Sequence, residues 1–72
     1  MIFHFDLIGT DVVTKGADHE FENAVAATEF ADRLAAELSM AEPEFAQEGY
    51  SVRVKDDQGE EIYRAELNSS VH

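Results

Sequence analysis

The chain contains no cysteine, no tryptophan, one proline, four glycines and only five basic side chains. Without cysteine there is no disulfide to staple so short a chain, and Cys-based zinc sites and thiol nucleophiles are excluded. Four glycines that never cluster leave no glycine-rich phosphate loop, and no Gly-x-Ser-x-Gly elbow is present. No run approaches the ~20 apolar residues of a membrane span. The opening MIFHFDLIG has neither the basic segment nor the long apolar run of a secretory leader. A cytoplasmic location is therefore expected, and the Asn68-Ser69-Ser70 glycosylation pattern carries no weight. Sixteen Asp and Glu stand against five Lys and Arg, a formal net charge of −11. Such a surface repels nucleic-acid phosphates and anionic lipid, so the expectation is no nucleic acid and no membrane.

What the chain does contain is one amphipathic helix between strand-like segments. Ala27, Ala31, Leu34, Leu38 and Ala41 recur at steps of four and three, one face of a helix. Asn23 is the expected N-cap, residues 24–41 lack glycine and proline, and Pro43 stops the helix by biasing Glu42 away from helical geometry. Glu29, Arg33 and Glu37 form i,i+4 pairs on its polar face.

Before the helix, residues 2–8 alternate: Phe3, Phe5 and Leu7 on one face, His4 and Asp6 on the other. Gly9-Thr10-Asp11 signals a turn, a short strand follows near 12–14 or 19–21, and Lys15 to Asp18 reads as turn or loop. After the helix, 44–49 reads as a loop with Phe45 as a core plug. Strands follow at 50–55 and 60–67, joined by Asp56-Asp57-Gln58-Gly59 with Gly59 in the left-handed position, and Ile62 breaks register as a bulge would. Residues 68–72 read as a frayed polar tail.

These elements define an α+β class: one helix on a small, mostly antiparallel sheet of three to four strands, order ββαββ, a single domain over 1–72. The expected core is Phe3, Phe5, Leu7, Ala27, Ala31, Leu34, Leu38, Val52, Val54 and Leu67. The face away from the helix keeps His4, Asp6 and Arg53 beside Ile2, Ile8 and Ile62. So small a core and those isoleucines make a homodimer the expected assembly.

The segments Phe3-His4-Phe5-Asp6-Leu7, Glu20-Phe21-Glu22-Asn23, Ala31-Asp32-Arg33-Leu34-Ala35-Ala36-Glu37-Leu38 and Val52 through Ile62 together resemble a family of short alphaproteobacterial proteins, rhizobial in type, whose function is unknown. Asp18-His19 stands where that family often has a glycine before the Glu-Phe step. The resemblance implies a fold and a bacterial source and no activity.

Chemistry-bearing patterns are sparse. His4 and Asp6 point the same way from one strand, but a solvated sheet face explains them. His19 lies between Asp18 and Glu20, and His72 is terminal. Asp56, Asp57, Glu60 and Glu61 crowd one turn, yet Lys55 and Gln58 break the spacing of a calcium loop. No residue is assigned a catalytic, cofactor-binding or metal-ligating role, no cofactor is expected, and the chain reads as something other than an enzyme. The expected function is that of a small acidic protein-interaction or regulatory module whose partner has a basic surface. The alternatives are a weak divalent-cation binder using surface carboxylates and histidine, and an acidic mimic of nucleic acid.

Overall fold

The computed structural model describes residues 1–67. Its elements are β1 (Ile2–Ile8), β2 (Val13–Glu20), α1 (Ala24–Ala41), α2 (Pro43–Gln47), β3 (Ser51–Lys55) and β4 (Glu61–Glu66). The strands form one antiparallel sheet in the order β2-β1-β3-β4, so the two hairpins meet along β1 and β3 and the fold is α+β. The tail at 68–72, with the Asn68-Ser69-Ser70 pattern and His72, lies outside the described residues.

α1 starts where the sequence supplies a cap. Asn23 is extended, and its side-chain oxygen accepts from the Ala26 N–H at 2.9 Å. The buried line along the helix is Ala27, Ala31 and Ala35, whose small side chains let the helix lie close on the sheet. Phe30, Leu34 and Leu38 flank that line half-buried, and Ala41 is exposed. The expected stripe through Leu34, Leu38 and Ala41 is thus corrected to an alanine seam. At about 100° per residue, Ala41 falls well off the line set by Ala27, Ala31 and Ala35. Phe3, Phe5, Val52, Val54, Ala65 and Leu67 complete the core from the sheet, while Leu7 is only half-buried.

Two segments expected as loops are regular. Lys15 to Asp18 belong to β2, a single strand rather than two short fragments. Gly16 and Ala17 together oppose Phe5, a bulge that lets one strand carry what reads in sequence as a break. A Cβ on Gly16 would lie 2.1 Å from the Phe5 carbonyl oxygen, so only glycine permits this approach. The segment after Pro43 is the short helix α2, because proline ends one helix and is well suited to the first turn of the next. Its buried residue is Ala46; Phe45 is half-buried and stacks on Tyr50 at 4.7 Å.

The β3–β4 turn is held by Asp56, whose carboxylate accepts from the N–H groups of Gln58 and Glu60, each at 2.9 Å. Gly59 takes φ 82°, the left-handed conformation expected of it. Register slips between Val54 and Lys55, which leaves Ile62 as the bulged residue. Among the described residues no helix is long and apolar enough to cross a membrane.

Candidate interaction site

Strand alternation sends Phe3, Phe5, Leu7, Val52 and Val54 toward α1. It sends Ile2, His4, Asp6, Ile8, Ser51, Arg53 and Lys55 to the open face. Cross-strand pairing then arranges the open face in rows. Lys15, Asp6, Arg53 and Arg64 lie side by side across β2, β1, β3 and β4; Asp18, His4, Lys55 and Glu61 form the next row.

His4 and Asp6 do share a face, but they do not act as a pair, and the expectation of a solvated position is corrected for Asp6. Only 6 % of Asp6 is exposed. The Arg53 Nη2 donates to its carboxylate at 3.0 Å, and the Lys55 Nζ lies 3.6 Å from the same oxygen. Burial opposes its ionisation. The Arg53 hydrogen bond, the Gly16 backbone N–H and the charges of Lys55 and Arg53 outweigh that, and hold the carboxyl below its ordinary range. His4 instead pairs through Nδ1 with Asp18 on β2. Arg64 donates to Glu61 at 2.8 and 3.2 Å, and this hydrogen bonding lowers the Glu61 pKa and raises that of Arg64.

His19 belongs to the other face. Its ring lies 4.9 Å from that of Phe30 and 5.5 Å from that of Phe5, and Phe21 closes the cluster. The sequence neighbours Asp18 and Glu20 are not its partners there. The same cluster borders a groove of about 280 Å³ between β2 and α1, walled by Leu7, Phe30, Leu34 and Leu38. Nothing in the helical periodicity signals this groove, since it exists because the two hairpins place β2 beyond the helix. Across the molecule, Tyr63 on β4 donates its hydroxyl to Asp32 on α1 at 2.7 Å.

The structure thereby sorts the charges. The open face holds four of the five basic side chains, Lys15, Arg53, Lys55 and Arg64, against Asp6, Asp18, Glu20, Glu61 and Glu66. The helix layer from Glu22 to Glu48 holds seven carboxylates against Arg33 alone. The remaining acids, Asp11, Asp56, Asp57 and Glu60, lie in or beside the two strand-connecting turns. In the second of these Asp56 is committed to the backbone, and among the described residues no group of three or more His, Asp or Glu converges as a metal-ligand set.

An α+β unit of one four-stranded antiparallel sheet, covered on one face by α1 and the short α2, with a charge-balanced open face and an acidic helix layer, is the class this fold defines. The chain belongs to the domain-of-unknown-function family DUF6894, whose model matches residues 2–68. Neither the curated proteins nor the solved structures provide a match.

Proposed function

We propose that the protein is a small interaction or regulatory module, without enzymatic activity of its own, that engages a protein partner with a basic surface through its helix layer. One observation carries this reading: seven carboxylates and a single arginine lie between Glu22 and Glu48, while the other basic residues are gathered on the opposite side of the sheet. Sorted charge of this kind steers a complementary partner and orients it on arrival. Glu29 and Glu37 are exposed on α1, and Glu44 on α2, so their carboxylates stand in solvent ready for a partner. The reading carries with it a cytoplasmic location, where basic protein surfaces are common, and no direct binding of nucleic acid, whose phosphates the net charge opposes.

The test is capture from a native lysate with the wild-type chain and with a Glu29→Gln, Glu37→Gln, Glu44→Gln triple variant, at low and raised salt. The expected result is a basic protein retained by the wild type, released by salt and lost with the triple variant. Retention that ignores both salt and the substitutions overturns the reading. Titrating CaCl₂ while following amide shifts tests the cation alternative: diffuse, unsaturable changes are expected, and a stoichiometric response centred on Asp56, Asp57, Glu60 and Glu61 would favour a cation site instead.

A further inference from the structure

β2 is one outer edge of the sheet, and all eight of its residues are exposed. Edge strands are commonly blunted by charges or bulges. The bulge here has a second effect. Because Gly16 and Ala17 together oppose Phe5, Lys15 and Asp18 both fall on the open face, opposite Asp6 and His4. Thr14 and His19 both fall on the helix face, opposite Leu7 and Phe3. In an unbulged strand, residues three apart would point to opposite faces.

The strand is thereby self-complementary. Laid antiparallel against a second copy, the register that pairs all eight residues has its twofold axis between Gly16 and Ala17. Lys15 then meets Asp18 of the second copy, twice by symmetry, on one face. Thr14 meets His19, twice, on the other, and the centre is Gly16 against Ala17, with no bulk to separate the backbones. The opposite edge lacks this property: full-length self-pairing of β4 sets Glu61 against Glu66 twice, a like-charge clash. β2 also lies at the far side of the sheet from β4, and α1 sits mainly over β3 and β4. A second copy arriving at β2 thus keeps the two acidic helix layers apart, where mutual repulsion is least.

We infer that β2 is a homodimerisation edge, pairing antiparallel with β2 of a second copy through reciprocal Lys15–Asp18 contacts to form one continuous eight-stranded sheet. The occupant is specified by the strand's own complementarity, since the reciprocal match arises only between identical copies. This surface is separate from the acidic helix layer, so each can fail without the other.

The test uses sedimentation and light scattering on the full chain at high micromolar concentration. Wild type should be dimeric. Lys15→Asp alone and Asp18→Lys alone should be monomeric with wild-type circular dichroism. Their 1:1 mixture should return a dimer, because one chain offers two acids at these positions and the other two bases. Glu29→Lys, which makes on α1 the same charge change as Asp18→Lys, keeps β2 intact: it should be dimeric alone, and on mixing it should leave Lys15→Asp monomeric. Rescue on mixing cannot come from repaired folding. A monomeric wild type would mean that the bulge protects the edge, and would overturn the proposal. So would a mixture that stays monomeric, or a dimer indifferent to both substitutions, which would move the contact to the open face around Ile2 and Ile62.

Discussion

The two hairpins are made of similar strands and end in different circumstances. β3–β4 lies beneath α1, closes on a turn tied by the Asp56 carboxylate, and buries Val52, Val54 and Ala65. β1–β2 buries Phe3 and Phe5 in its first strand and nothing in its second. The difference follows from cover. One helix is about 10–12 Å across with its side chains, whereas four strands at about 4.8 Å spacing are wider than that, so an outer strand is left over. The uncovered strand is the one whose residues are small or polar and whose face alternation is interrupted by a bulge.

Phe5→Ala should break this contrast most severely, because its ring joins both hairpins to the helix. It is 3 % exposed and meets the rings of His19, Phe21 and Phe30. A loss of about 3–5 kcal/mol is expected, enough to unfold much of so small a domain in a urea titration. Leu34→Ala, at the half-buried wall of the groove, should cost only about 1–2 kcal/mol. Equal midpoints for the two variants would mean that the groove is as well packed as the core.

The hairpins also differ in how openly their sequences announce them. Asp56 to Gly59 has the residues its turn needs and lies between strands whose alternation breaks only at Ile62, so turn, left-handed glycine and the Ile62 bulge were all legible. Asn23 and the absence of helix breakers after it made α1 equally plain. Lys15 to Asp18 misled because glycine beside charged residues reads as a turn, whereas Gly16 is there for close approach to Phe5. The alanine seam was obscured for a related reason: periodicity weights large apolar residues, while packing distance favoured the small ones. The site was less legible still. The shared face of His4 and Asp6 follows from period two, but their separate partners depend on strand order, which puts β2 on one side of β1 and β3 on the other.

A pair of glycine substitutions sharpens the contrast. Gly16→Ala would drive a methyl into the Phe5 carbonyl oxygen, and about 1–3 kcal/mol of destabilisation is expected. Its signature should be local, with faster hydrogen exchange along β2 and unchanged protection in β3 and β4. Gly59→Ala meets no atom within 4 Å and suffers only its positive φ, so about 1 kcal/mol is expected, with exchange altered at the β3–β4 turn. Reversed magnitudes would show that β2 is not held by the approach of Gly16 to β1.

Acid should act on the seam between the hairpins. Asp6 on β1 is bonded to Arg53 and paired with Lys55 on β3, and its pKa is lowered in the fold. A depressed carboxyl stabilises the fold fully above its unfolded value, near pH 4, and that contribution is lost as pH falls through the lower folded value. The melting temperature should therefore drop on acidification below about pH 4, and Asp6→Asn should lower stability at neutral pH and flatten that acid limb. An acid limb unchanged in Asp6→Asn would place the sensitive carboxylate elsewhere.

The smallest effect belongs to the covered hairpin and reports on how the helix sits over it. The Tyr63 hydroxyl donates to Asp32, a bond that joins β4 to α1 at the molecular surface. Losing its proton would remove that donor and set a phenolate beside a carboxylate. The hydrogen bond first, then a small burial effect and the Asp32 charge, raise the Tyr63 pKa above the ordinary tyrosine value. In an alkaline titration followed by ultraviolet difference absorbance, with Tyr50→Phe used to leave a single tyrosine, Tyr63 should ionise late. Asp32→Ala should return it toward the ordinary range with little change in melting temperature, since the bond is solvent-exposed. A titration indifferent to Asp32 would mean that α1 does not hold its register over β4. The contrast between a covered and an uncovered hairpin would then have to rest on the alanine seam alone.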